Sequence, residues 1–255
     1  MRAQVCGAVG EAAMARSRFE EAKAEFEEAL RLAHEVRAYA EKPFLIARLG
    51  EIAYREGDRA AALRALDEAT AAADRYAVPD SRAFVLLVRA QMALDDREFG
   101  RARELCEAAR KETTRGTPPP QFIAALNGVD GLLTAVESGP GQGLRRLADA
   151  LRKAMADSCA EVVLATLAEQ AAGVLSGIGE HARVVRVLTA ASCWREGHPR
   201  PLPHRTDLER IEATALAALG RRAYDTERAT GAALTRGGVL GVLEELAEAS
   251  PAPET

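Results

Sequence analysis

The 255-residue chain is short of several things, and each shortage narrows its class. Aromatic residues make up only 4% of it, with a single tryptophan. Alternating apolar and polar runs of the kind strands require are missing, and Val and Ile are scattered. No apolar run approaches the roughly 18–20 residues needed to cross a bilayer. The N-terminal residues Met1 to Cys6 hold no apolar segment of signal-peptide length before charge returns at Glu11. The four cysteines (Cys6, Cys106, Cys159, Cys193) are far apart and lie in helical patterns, which fits free, buried thiols in a reducing cytoplasm better than a disulfide framework. Neither sign of charge dominates: 34 basic and 38 acidic residues are interspersed, for a net charge of −4. The basic stripe of a duplex-binding domain is absent. The expected protein is cytoplasmic, with no membrane segment and no direct nucleic-acid binding.

What the chain does have is Ala, Leu, Glu and Arg in abundance, all strong helix formers. The length suffices for one large domain or two small ones, and the composition predicts an all-α fold. Self-similarity sharpens this. Segments 10–29, 50–69, 90–109, 131–150 and 172–191 align in columns. The first column reads Gly10, Gly50, Ala90, Gly131, Ala172. Twelve residues on stand Ala22, Ala62, Ala102, Gly143, Val184, and seven further stand Ala29, Ala69, Ala109, Ala150, Ala191. Between the last two runs an apolar column, Phe26, Leu66, Cys106, Leu147, Leu188. Chance would make about four or five of the fifteen first-named positions small, whereas all but Val184 are.

Small residues at this spacing let two helices of a hairpin approach closely. The apolar column is expected to fill the space between neighbouring repeats, which must stack because a lone hairpin cannot bury its apolar face. Turn signals fall between the helices at 55–59, 138–142 and 176–180. Pro43, Pro79 and Pro118–Pro120 precede first helices, where proline is tolerated.

These columns resemble the tetratricopeptide repeat, although the period here is 40–41 rather than about 34. The longer unit is similar to the sensor regions of large bacterial regulators. Beyond Pro201-Leu202-Pro203, a helix is predicted to open with a capping box from Thr206 to Glu209. Leu216, Leu219-Gly220, Ala223-Tyr224, Gly231 and Leu234 follow, then Val242–Leu246. This tail resembles the C-terminal end of actinobacterial transcriptional regulators of the LuxR-type and antibiotic-regulatory kinds. The aromatic residue that often precedes the glycine matched by Gly231 is missing; Ala229-Thr230 stands there. The phosphate loop and the basic helix-turn-helix of the larger regulators are absent too.

The resemblance implies a right-handed α-solenoid of about five helix-turn-helix repeats over residues 1–192, closed by a helical capping segment over 193–255. It also implies that the first helix of each repeat lines a concave groove. Carried across residue by residue, the groove takes Glu11 and Met14, then Phe44, Glu51, Tyr54 and Arg55, then Phe84, Leu87 and Gln91. Ala125, Gly128 and Leu132 follow in the fourth repeat and Glu169 in the fifth. Phe44 and Phe84 are open to two readings: an apolar shelf beside a Glu51–Arg55 pair, or inter-repeat core beside solvated charges.

Other chemistry finds little support. Cys193, His198 and His204 are spaced C-x4-H-x5-H, but structural zinc wants four ligands in tight pairs, so no metal is expected. Gly139–Gly143 lies between helices with no lysine after it, and is a turn rather than a phosphate cradle. Trp194 is expected to anchor the tail over the last repeat. No histidine has a Ser or Cys at nucleophile-like spacing. The reading is therefore a non-catalytic interaction or effector-sensing module without cofactors, linked to bacterial transcriptional regulation. A protein segment, peptide or small effector would occupy its groove. The alternative is a structural adaptor that self-associates into a homo-oligomer through its repeat ends.

Overall fold

Runs of helix formers broken by Gly, Pro and Asp give helices separated by tight turns. The computed structural model describes residues 2–16 and 18–249, and Met1 lies outside them. The fold is all-helical, with 84% helix and no strand among the described residues. Its helices pack as adjacent pairs: α1 (Arg2–Ala15) with α2 (Phe19–Glu35), α3 (Lys42–Arg55) with α4 (Arg59–Tyr76), and α5 (Pro79–Asp95) with α6 (Phe99–Thr113). The same holds for α7 (Pro120–Glu137) with α8 (Pro140–Ala156), and for α9 (Glu161–Gly177) with α10 (His181–Trp194). Then come α11 (Leu202–Ala232) and α12 (Arg236–Ala249). No described helix is long and apolar enough to cross a membrane.

The period is written into the backbone hydrogen bonds of the turns. All the first helices but α7 close with an N–H reaching the carbonyl five residues back: Arg18 to Ala13 (2.9 Å), Asp58 to Ala53 (2.8 Å), Glu98 to Ala93 (2.8 Å) and Glu180 to Leu175 (3.1 Å). Second helices do the same from Ala38 to Ala33, Val78 to Ala73 and Cys159 to Ala154. This is the Schellman closure, and it needs a left-handed residue just before the donor. Gly57 (φ 89°) and Gly179 (φ 77°) supply it freely, whereas Arg37, Ala77, Arg97 and Ser158 adopt it with a Cβ.

All the repeat columns are buried. The large column packs within its hairpin as well as between hairpins. A Cβ on Gly10 would stand 2.7 Å from the Phe26 ring, one on Gly50 3.2 Å from Leu66, and one on Gly131 2.7 Å from Leu147. Phe26, Leu66 and Leu147 therefore each seat on the glycine sixteen positions earlier, inside their own hairpins. Two of them also reach onward, since Phe26 shares a core with Leu45 and Ile52, and Leu66 with Val85 and Met92.

The chain forms two compact units, one of residues 1–118 with 199–203, the other of 119–198 with 204–255. The first unit contains α1 to α6. Its first helices α3 and α5 touch each other as well as their hairpin partners. In the second unit α7 and α9 are likewise in contact, and α12 lies along α8, with Val239 and Leu243 fully buried. Arg152 pairs with Glu244, and Arg145 Nη2 donates to the Ala247 carbonyl at 3.0 Å. Trp194 is half-buried against this same core.

The capping box expected at Thr206–Glu209 does not open a helix. α11 already begins at Leu202, because proline in a first turn loses no intrahelical hydrogen bond. Thr206 therefore falls inside the helix. The helix breaks at Gly220 (φ 74°, ψ 158°), a conformation open to glycine. Gly231 then lets α11 press on α10, where an added Cβ would stand 2.5 Å from the Arg186 carbonyl oxygen.

Candidate functional site

On α3, residues 44, 48, 51 and 55 follow each other at helical spacings of four, three and four, so they share one face. The centre of this face is Arg48, whose side chain is 12% exposed. Its Nε and Nη2 both donate to the Glu11 carboxylate from α1, and its Nη1 donates to Glu51. Glu51 is 6% exposed and also accepts from Arg55 Nε (2.9 Å) and Nη2 (2.6 Å). Burial alone would raise the Glu51 pKa, but the Arg55 and Arg48 charges override it and hold the carboxyl below its ordinary value. Burial likewise opposes the Arg48 charge, which Glu51 and Glu11 more than restore.

Aromatic rings surround the same guanidinium. Phe44 and Phe84 meet with centroids 5.7 Å apart and planes tilted by 54°. The Arg48 Cζ stands 5.7 Å from the Phe44 centroid, 5.1 Å from Phe84 and 5.9 Å from Phe26, within cation–π range. Both Phe44 and Phe84 are half-buried. The shelf and core readings of this pair thus meet: each ring packs on its neighbour and still reaches the surface.

Of the residues expected in a groove, Glu11, Phe44, Glu51, Arg55 and Phe84 come together around Arg48. Tyr54 donates its hydroxyl to Asp95 of α5, and burial together with that carboxylate pushes its pKa up. Gln91 is half-buried, whereas Leu87 and Met14 are buried and supply packing. In the other unit Ala125 and Leu132 are half-buried and Gly128 is buried.

Glu169 sits in that other unit with no exposed side-chain surface. Arg195 grips it with Nε and Nη2 at 2.7 and 2.6 Å, and donates to Thr166 Oγ1 at 3.0 Å. His204 Nε2 lies 3.2 Å from the same carboxylate. Burial works to raise the Glu169 pKa, but His204 and Arg195 bring it down to about 2. This is an internal tie of α9 to α10 and α11 rather than an open contact.

Arg48 is the residue the columns did not reveal. Its trace in the sequence is its spacing, four after Phe44 and three before Glu51. No group of three metal-ligating side chains comes together among the described residues. Of the cysteines expected to be buried, Cys106 and Cys159 are, Cys6 is half-buried and Cys193 at the end of α10 is exposed; His204 is engaged with Glu169. A shallow, open cleft at the α11 break is lined by Leu219, Arg221, Arg222 and Thr226. Comparison with known proteins finds no family model and no curated protein that matches the chain.

Proposed function

We propose that this protein is a non-catalytic binding module whose first helices present a ligand surface centred on Arg48. The observation that carries this reading is the convergence of α1, α3 and α5 on one aromatic and charged cluster, whose centre is nearly buried and whose rim of Glu11, Phe44, Arg55 and Phe84 reaches the surface. Side chains in such a cluster are fixed by their neighbours before any ligand arrives, which lowers the ordering cost of binding. On this reading the hairpins belong to a right-handed tetratricopeptide-like solenoid of about five repeats. Its role is to receive a peptide or small effector in the cytoplasm and to couple that event to bacterial transcriptional regulation. The repeat columns and the regulator-like tail support the family assignment.

The test is capture from host lysate on wild-type chain and on a Phe44→Ala, Tyr54→Ala, Arg55→Ala triple variant, with circular dichroism confirming that the variant folds. A partner lost from the folded variant supports the reading. A partner held equally by both contradicts it.

A second reading, self-association through α1, draws on one contrast. Leu45, Val85, Leu126 and Leu167 occupy one register of the repeats and are all nearly or fully buried, while Val5 in the same register is 57% exposed. Sedimentation of the chain at high concentration decides it: a strict monomer counts against it.

A further inference from the structure

We propose that the Arg48 guanidinium anchors a ligand carboxylate, and that the Glu11 carboxylate seated on it is a built-in competitor which the ligand displaces. The proposal rests on the first-helix surface being a binding site and names the chemistry that site selects.

The two acids on Arg48 are unlike. Glu51 is 6% exposed and is shared between Arg48 and Arg55. Glu11 comes from a different helix and keeps 41% of its side chain exposed while occupying the Nε and Nη2 donors. Removing Glu11 leaves the nearly buried Arg48 with Glu51 as its acidic partner, so the cation is not stranded. Exchanging it for another carboxylate keeps the pairing and releases an already half-solvated group to water. Such an exchange costs little, because one carboxylate takes the place of another and the one released is already partly hydrated.

The shape of the vacated position selects the ligand. Two parallel N–H donors fit a planar carboxylate. Glu51 on the adjacent Nη1 sets a negative charge beside the position and disfavours a dianion such as phosphate. Phe44 and Phe84 flank the guanidinium and reach the surface. An aliphatic group attached to a carboxylate on Arg48 would have those rings as its nearest apolar surface. The ligand class is therefore an aliphatic carboxylate, whether a free acyl amino acid or a peptide ending in an apolar residue.

The experiment titrates the full chain and its Glu11→Gln variant, both checked for folding by circular dichroism. The probes are N-acetyl-leucine, N-acetyl-leucinamide and N-acetyl-Ala-Ala-Ala-Leu with a free C-terminus. Calorimetry gives affinities, and the NMR signal of the Arg48 Nε–H reports the site. The acids are expected to move that signal and the amide to leave it still, with Glu11→Gln tightening acid binding by about tenfold, equivalent to about 1.4 kcal/mol. If the peptide binds better than N-acetyl-leucine the natural ligand is a chain end, and equal binding points to a small acid. Acid and amide binding alike, or a Glu11→Gln variant no tighter than wild type, overturns the proposal. So does an absence of binding to either protein. In that last case a lysate partner still lost from the triple variant leaves the binding-module reading standing.

Discussion

Gly143 of α8 lies so close to Ala135 of α7 that a Cβ on the glycine would stand 2.3 Å from the Ala135 Cβ and 2.6 Å from its Cα. Part of the obstacle is backbone, which cannot swing aside. In an unobstructed helix, Gly→Ala gains up to about 1 kcal/mol. Here overpacking, typically about 1–3 kcal/mol, outweighs that gain. Gly143→Ala should therefore destabilise the protein. Gly241→Ala, in α12 with nothing within 4 Å of the new Cβ, should stabilise it. Urea unfolding of the two variants beside wild type checks both signs.

The buried Glu169 makes stability depend on pH. Its carboxyl titrates near 2 in the folded protein, below its ordinary value of 4.5. The stabilisation is complete above that ordinary value and drains away as pH falls from about 5 towards 2. The difference amounts to about 3 kcal/mol. Glu169→Gln should lose stability at neutral pH and show a flatter stability profile across this acid window. Urea unfolding at a series of pH values from 7 to 2 gives the comparison.

Arg97 holds φ 61° at the turn position where the preceding hairpin has Gly57. A side chain there carries a left-handed penalty that glycine avoids, on the order of 1 kcal/mol. Arg97→Gly should raise the melting temperature despite its greater chain entropy when unfolded, and a thermal scan is sufficient to see it.

Arg48 and Glu11 should differ sharply when altered. Arg48→Met strips the buried Glu51 of one of its two cations and should cost about 3 kcal/mol or more. Glu11→Gln touches a half-exposed acid and should cost less than about 1 kcal/mol. Equal losses in chemical unfolding would mean that Glu11 is as structural as Arg48.

The hairpins were legible because close helix packing demands small residues at fixed spacing, and Gly10, Ala22 and Ala29 recur in kind forty residues later. The turns at Gly57 and Gly179 were legible for a similar reason, since glycine marks a left-handed backbone. Arg97 and Ala77 take the same conformation with ordinary side chains, so composition gave no sign of them. Thr206 misled because a capping pattern competes with proline as a helix start, and the chain used the proline. Arg48 stayed hidden since an arginine on an amphipathic helix ordinarily faces water. Its burial depends on Glu11 and Phe84, which come from other helices. Glu169 went the opposite way: its place on a first helix suggested an open groove position, and Arg195 and His204 enclose it.

A binding module of this kind must meet its ligand on the first helices. The most direct measurement places a photocrosslinking residue at Gln91 on α5 or at Leu63 on α4, and exposes each to host lysate under light. Gln91 is half-buried on a first helix and Leu63 is 40% exposed on a second helix. A discrete crosslinked partner is expected at position 91, absent at 63 and competed away by excess unlabelled wild-type chain. A partner captured at 63 and absent at 91 would contradict this placement of the site.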